Sequence, residues 1–315
     1  MSTTDADADA SATADPRGAG TTPAADRQAA PKRDAVLPRT SAKANRSASW
    51  TGAGPLRLLQ LTDLHLYREA DGCLLGQPTR RTLALVLERL RQRHWPPDAI
   101  LLTGDLVHDE SAAGYRYLRG CLDALGVPCH CLPGNHDRPD LMATWLDADS
   151  AAGLRRIAYD PWDLILLDST LPGSDGGHLA VDLLARLQQH LQSHPGRPTL
   201  ICLHHQPVPM GSRWVDSMMV DNGADLLALA ACHPQLRGIL WGHVHQAFAA
   251  QHGDTLLLAT PSTCVQFLPA SRDFALDTLP PGYRWLELYP DGRISTGIER
   301  IDGYPEPFAA AASGG

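Results

Sequence analysis

The feature that most constrains this chain is a recurrence. An apolar run of strand length ends, again and again, in residues that bind metals. Leu58 to Leu61 lead into Thr62-Asp63-Leu64-His65, and later stretches carry Gly104-Asp105, Gly134-Asn135-His136-Asp137, His204-His205-Gln206-Pro207 and Gly242-His243-Val244-His245. Runs at 57–62, 98–103, 127–132, 163–168, 199–203 and 237–241 read as strands. Between them, apolar residues fall at helical spacing: Leu83, Val86, Leu87 and Leu90 in 78–93; Tyr117, Leu118, Cys121, Leu122 and Leu125 in 111–125; Leu183, Leu184, Leu187 and Leu191 in 179–191. An Ala/Leu-rich stretch, 223–232, completes the set. Strands alternating with helices imply a layered α/β domain. After Gly242 the pattern shifts to short strands at 246–251, 254–260, 283–289 and 293–298, which predicts a second sheet packed on the first.

In an open α/β sheet the functional crevice lies beyond the carboxyl ends of the strands, so residues distant in sequence converge there. Asp, Asn and neutral His suit a first-row divalent or trivalent ion. Carboxylates can bridge two ions, and a pair about 3.5–4 Å apart is the usual arrangement for hydrolysing phosphate esters. Taken singly, each motif has a plain reading: Asp-X-His and Gly-Asp as strand-end turns, Gly-Asn-His-Asp as a turn tolerant of left-handed backbone. Gly-His-Val-His puts two imidazoles on one side of an extended segment and is evenly balanced. All five in one chain, mostly at strand ends, favour a metal centre.

Composition narrows the alternatives. The formal net charge of −8 argues against a nucleic-acid surface binder. It leaves a phosphate-bearing substrate open, since bound ions can supply positive charge. Lysine occurs only at Lys32 and Lys43, which removes a P-loop and Schiff-base chemistry from the body. The seven cysteines are odd in number and several sit in apolar runs, as buried thiols of a reducing cytoplasm would. No run is long and apolar enough to span a bilayer, and the N-terminus lacks a secretory pattern. Residues 1–50 are poor in large apolar side chains and read as a disordered tail. The expected organisation is that tail, a domain over 56–302, and a flexible tail over 303–315.

Lesser features have bland readings beside functional ones. Arg138 and Asp140 read as a helix start. The long loop 209–222 offers Trp214, Met218 and Met219 to a base, to a second subunit or to ordinary packing. Thr260, Ser262 and Thr263 line the pocket or satisfy a turn. Cys129-His130-Cys131 reads as buried strand, because only one face of a strand can point at one ion.

The motifs Asp63-X-His65, Gly104-Asp105, Gly134-Asn135-His136-Asp137, His205-X-Pro207 and Gly242-His243-X-His245 resemble the signature of the calcineurin-like metallophosphoesterases. Thr103-Gly-Asp-Leu-Val-His-Asp109, Thr260-Pro-Ser-Thr-Cys-Val-Gln-Phe267, Phe274-Ala-Leu-Asp-Thr278 and Pro281-Gly-Tyr283 are similar to the bacterial 3′,5′-cyclic-AMP phosphodiesterases, the class III branch of that family. The resemblance covers about residues 56–300. It implies a four-layer αββα sandwich of two mixed sheets flanked by helices, and two ions, iron and manganese ahead of zinc and cobalt. It implies Asp63, His65 and His245 on one ion, Asn135, His205 and His243 on the other, and Asp105 between them. Of the neighbouring pair it selects His205, with His204 packing or orienting. The family position that partners His136 carries His108 here, with Asp109 next.

The chemistry it implies is hydrolysis of 3′,5′-cyclic AMP to 5′-AMP by a metal-bridging hydroxide, which lowers cyclic-nucleotide levels. His136 and Asp105 take the catalytic roles, His136 at the leaving oxygen, and His65, Asn135, His136 and His245 meet the substrate. The partner is then a cyclic nucleotide, with no nucleic acid and no membrane, for a cytoplasmic monomer or homodimer. The rivals are a phosphodiesterase acting on 2′,3′-cyclic nucleotides, glycerophosphodiesters or simple monoesters, and a non-catalytic interaction protein on the same fold.

Overall fold

The computed structural model describes residues 54–146, 153–302 and 304. The tail expected over 1–50 and the tail expected over 303–315, Tyr304 apart, lie outside the described residues. The chain runs β1 (Leu56–Leu61), a small hairpin β2 (Cys73–Leu74) and β3 (Gln77–Pro78), α1 (Thr79–Arg93), β4 (Ala99–Thr103), α2 (Ala112–Leu125), β5 (Cys129–Leu132) and α3 (Pro139–Trp145). It continues through β6 (Leu154–Tyr159), β7 (Trp162–Leu167), α4 (Val181–Ser193), β8 (Thr199–Cys202), α5 (Arg213–Asp216), α6 (Gly223–Cys232) and β9 (Leu236–Trp241). Last come β10 (Phe248–His252), β11 (Thr255–Ala259), the pair β12 (Gln266–Phe267) and β13 (Leu276–Asp277), β14 (Gly282–Leu288) and β15 (Ile294–Arg300).

Two sheets form, with orders β15-β14-β1-β4-β5 and β10-β11-β9-β8-β7-β6. The central strands are parallel, β1 with β4 and β4 with β5 in one sheet, β7 with β8 and β8 with β9 in the other. Antiparallel strands close three of the four edges, and β5 closes the fourth in parallel. The late strands do not make a second sheet of their own. β10 and β11 extend one sheet, β14 and β15 extend the other, and the change of sheet falls between β5 and β6 rather than at Gly242. The sequence could not show this, because strand period says nothing about which sheet a strand joins.

The apolar runs have no polar alternation because both faces of each central strand are covered. Leu56 and Leu58 of β1, Leu101 of β4, Leu164 and Leu166 of β7, Leu200 of β8 and Leu240 of β9 meet in one cluster between the sheets. The alternate residues Leu59, Leu61, Ile100 and Leu102 pack with Leu83, Val86 and Leu90 of α1 and Leu118 and Leu122 of α2. Ile165, Ile201, Ile239 and Trp241 pack with Leu183, Leu187 and Leu191 of α4 and Leu226 of α6. Three cores separate four layers, helix, sheet, sheet, helix. Each fully buried leucine is worth about 2 kcal/mol, so strand register is fixed on both faces.

α2 shows how locally its limits are written. Ser111 accepts a hydrogen bond from the Gly114 N–H at 3.1 Å, and Gly126 ends the helix in the left-handed region at φ 69°. Tyr115, not the expected Tyr117, is the buried tyrosine of this helix. α3 begins with Pro139 directly after Arg138, and Arg138 pairs with Asp140 of its first turn. All seven cysteines are free thiols, and His130 hydrogen-bonds Tyr159 at 2.9 Å. No helix among the described residues is long and apolar enough to cross a membrane.

Candidate metal centre

The strand ends of both sheets converge. β1 delivers Asp63 and His65, β4 Asp105, β5 Asn135 and His136, β8 His204 and His205, and β9 His243 and His245. The loops are stitched backbone to backbone, Asp63 N–H to Gly104 O at 3.0 Å and His65 N–H to Asp105 O at 2.9 Å. Asp63 also ties the sheets together, since its carboxylate accepts from the His243 N–H at 3.0 Å.

Of the eight non-glycine residues with positive φ among those described, five are here: Asp63 at 54°, His65 at 45°, Asp105 at 53°, His243 at 65° and His245 at 49°. Each costs about 1 kcal/mol, and such strain persists only where the surroundings impose it. The glycines of the motifs serve close approach. A Cβ on Gly134 would collide with the carboxylate and backbone nitrogen of Asp105, and one on Gly104 with the His204 ring.

Two groups of donor atoms result. In the first, Asp63 Oδ1 lies 3.3 Å from His245 Nε2, and His65 Nε2 lies 3.2 Å from His245 Nε2 and 3.6 Å from Asp105 Oδ2. In the second, His204 Nε2 lies 3.3 Å from Asp105 Oδ1 and 3.2 Å from Asn135 Oδ1. His205 and His243 complete it, with the donor atoms of His204, His205 and His243 within 4.8 Å of one another. Asp105 therefore has one carboxylate oxygen in each group. All of these side chains except Asn135 are buried, and Asn135 is half-buried.

The electrostatics suit cations. Burial pushes the pKa of His65 and His243 well below the usual imidazole range, and burial with His204 nearby takes His205 down to about 3. These rings stay neutral and keep a lone pair. Burial works against ionisation of Asp105, but the adjacent His204 and His65 outweigh it and hold the carboxylate charged. His204 moves the other way: burial disfavours its charge, and the Asp105 carboxylate more than restores it. A divalent ion would displace that shared proton. The buried Nε2 atom of His243 has no protein partner, as a cation ligand would not. The residues present fit a pair of metal ions.

The rings are aimed from behind. His204 donates Nδ1–H to Thr103 O at 2.8 Å and His245 to Val265 O at 2.9 Å, which leaves Nε2 pointing inward. His205 Nδ1 lies 2.9 Å from Ser169 Oγ. Asp137 is not a ligand. It accepts from the N–H groups of Leu106, Val107 and Gly134 and from Tyr115 Oη, and so fastens the turn that carries Asn135 and His136. Asp109 turns away to accept from Arg68 N–H and Ser111 N–H. His136 is half-buried, its backbone N–H donates to Asp105 Oδ1 at 3.0 Å, and its ring makes no hydrogen bond to another described residue.

Sequence reasoning did not find Ser169, Val265 or Tyr115. They act through one atom each; Ser169 and Tyr115 carry no motif, and Val265, inside Thr260–Phe267, acts through its backbone oxygen, which residue type does not reveal. Phe267 was within reach, as the last residue of Thr260–Phe267. Its ring lies on His245 with centroids 4.0 Å apart and planes 7° apart. Trp214 packs edge-on against Phe267 and Phe274, so the 209–222 loop is anchored within this chain. Ser262 donates to Asp63 O and Thr260 to Gln60, as supports beneath the ligands.

Comparison with known proteins agrees with this geometry. The calcineurin-like phosphoesterase family matches residues 56–247. The chain is 44% identical to the 3′,5′-cyclic adenosine monophosphate phosphodiesterase CpdA of Pseudomonas aeruginosa over 247 residues, 78% of this chain and 90% of that one. It is 38% identical to the Escherichia coli K12 protein of the same name over 251 residues, 79% of this chain and 91% of that one. Among solved structures, a dimetal phosphatase from Danio rerio superposes with a TM-score of 0.56 at 17% identity, covering 78% of this chain and 99% of that one, a likeness of fold. With the match spanning most of the domain and both groups of donor atoms in place, the chain belongs to the calcineurin-like phosphoesterase family.

Proposed function

We propose that this protein hydrolyses 3′,5′-cyclic AMP to 5′-AMP at a two-metal centre in the cytoplasm. The observation that carries the reading is Asp105, whose two carboxylate oxygens face two separate groups of ligand atoms. The named activity of relatives 38–44% identical over most of the chain supports the substrate. Asp63, His65 and His245 hold one ion, Asn135, His243 and His204 the other, and Asp105 is shared. We assign to His204 the place that the family resemblance implied for His205, because its Nε2 is the one set against both Asp105 and Asn135. His205 borders the second group from the Ser169 side. Iron and manganese are the favoured pair.

When bound, the two ions neutralise phosphate charge and make water acidic enough to supply the nucleophile near neutral pH. The protein's own groups do the rest. The buried ligand shell excludes bulk water, which strengthens every charge interaction within it. The Asn135 amide and the His65 and His245 edges border the phosphate position. His136, with no protein hydrogen bond to its ring, gives a proton to the departing 3′-oxygen, a role worth about 10²–10⁴-fold. The test is product analysis with 3′,5′-cyclic AMP, 3′,5′-cyclic GMP, 2′,3′-cyclic AMP and a glycerophosphodiester. Fastest turnover of 3′,5′-cyclic AMP with 5′-AMP as product is expected. Preference for a 2′,3′-cyclic substrate or for the glycerophosphodiester overturns the assignment.

A further inference from the structure

His108 stands three residues after Asp105, and its Nδ1 lies 3.0 Å from Nδ1 of His65. At that distance one nitrogen donates and the other accepts. The ligand role of His65 decides which. Its Nε2 is the atom facing Asp105 and His245, and a nitrogen that binds a cation keeps its lone pair there. The His65 proton is therefore on Nδ1 and goes to His108 Nδ1. The proton of a neutral His108 is then on its Nε2.

This differs from the other rings. His204 and His245 deliver their outer N–H to backbone carbonyl oxygens, where the arrangement ends. The arrangement behind His65 continues into a second imidazole with a donor of its own. His108 Nε2 makes no hydrogen bond to any described residue, and the ring is half-buried, not sealed. Its centroid is 4.5 Å from that of His136, the ring placed at the leaving oxygen, and 5.1 Å from that of His65. Tyr67 also packs against it, with centroids 5.2 Å apart.

We propose that His108 is a positioning residue with two functions: it accepts from His65 and so fixes the tautomer that turns Nε2 to the ion, and it presents its own Nε2–H beside His136 to an oxygen of the phosphodiester. The inference rests on the two-ion reading given above. The two functions separate by substitution. Asparagine places an acceptor oxygen where Nδ1 stands but has nothing at Nε2. Leucine supplies neither.

The experiment titrates metal-stripped wild-type, His108→Leu and His108→Asn proteins with Mn²⁺ by calorimetry, then measures kcat and KM for 3′,5′-cyclic AMP at saturating Mn²⁺. His108→Leu is expected to weaken one of the two ions by about 10–100-fold and leave the other unchanged. His108→Asn is expected to keep both affinities within about threefold of wild type while KM rises about tenfold, as for a lost hydrogen bond to a charged group. Wild-type affinity for both ions in His108→Leu overturns the first function, even if that variant loses activity. Wild-type KM and kcat in His108→Asn overturn the second. A wild-type protein that takes up a single ion removes the two-ion reading itself, a result distinct from either.

Discussion

Gly134→Ala should damage both the fold and the site, although alanine suits the backbone there. Gly134 is absent from the positions with positive φ, so the substitution by itself would stabilise by about 0.4–1 kcal/mol through the unfolded chain. Space reverses the sign. The new methyl would fall on Asp105 Oδ1 and the Asp105 backbone nitrogen, with His204 Cε1 at 2.8 Å. Relief needs a movement of about 1 Å to reach ordinary contact. Neither side can yield cheaply. Asp105 is held by the His136 N–H, and the turn by Asp137 with its bonds to Leu106, Val107 and Tyr115. Overpacking of this kind costs about 1–3 kcal/mol, and each kcal/mol moves Tm by about 2–4 °C in a domain this size. A 1 Å displacement at the bridging carboxylate also costs about 10²-fold in turnover. The paired control is Gly120, in α2, where an added Cβ meets nothing within 4 Å; Gly120→Ala should raise Tm, since glycine in a helix costs about 0.5–1 kcal/mol. Thermal unfolding of both variants, with metal analysis and turnover on the same samples, reads the outcome. Gly134→Ala with wild-type Tm and metal content refutes the close-approach argument.

Three further outcomes are expected. His204→Ala should lose about one ion per chain by elemental analysis, whereas His205→Ala should retain both; the reverse result restores the ligand choice that the family resemblance implied. His136→Ala should keep its metals and lose about 10²–10⁴-fold in kcat, and loss of metal instead would show that His136 is a ligand. His130, buried beside Tyr159 and near Arg155, has its pKa lowered to about 4 by burial and then by Arg155. The unfolded chain takes up this proton from about pH 6.5 downward and the folded one does not, so stability present above pH 6.5 is lost as pH falls towards 4. That difference amounts to about 3 kcal/mol, and urea unfolding of His130→Gln should show a correspondingly shallower decline over this window; an identical decline contradicts it.

Much of this molecule was legible because its strands are short, buried and followed at once by their ligands. Leu58–Leu61, Ile100–Leu102 and Ile239–Trp241 announce themselves as strands, since burial on both faces leaves Gln60 as their one polar interruption. The helices of 78–93 and 179–191 declare their inner faces by spacing, and the structure buries Leu83, Val86, Leu90, Leu183, Leu187 and Leu191 as that spacing requires. Other features were hidden for physical reasons. β6 carries Arg155 and Arg156 on a half-buried edge, so its sequence lacks an apolar run. Allocation of β10, β11, β14 and β15 between sheets depends on tertiary contacts. His204 and His205 differ by one residue, and their rings are held from behind by Thr103 O and Ser169 Oγ, contacts that residue type does not reveal. The left-handed backbone at Asp63, His65, Asp105, His243 and His245 has only a weak signal, since Asp and His adopt it more readily than most residues but do so in few of their occurrences.

The central claim is that Asp105 joins two ions into one hydrolytic centre. Its most direct measurement is metal content and 3′,5′-cyclic AMP turnover, determined together on wild-type protein and Asp105→Ala. Two ions per wild-type chain, loss of metal from both groups in the variant and a collapse of turnover with it are the expected result. A variant that keeps two ions, or turns over cyclic AMP at near the wild-type rate, contradicts the account.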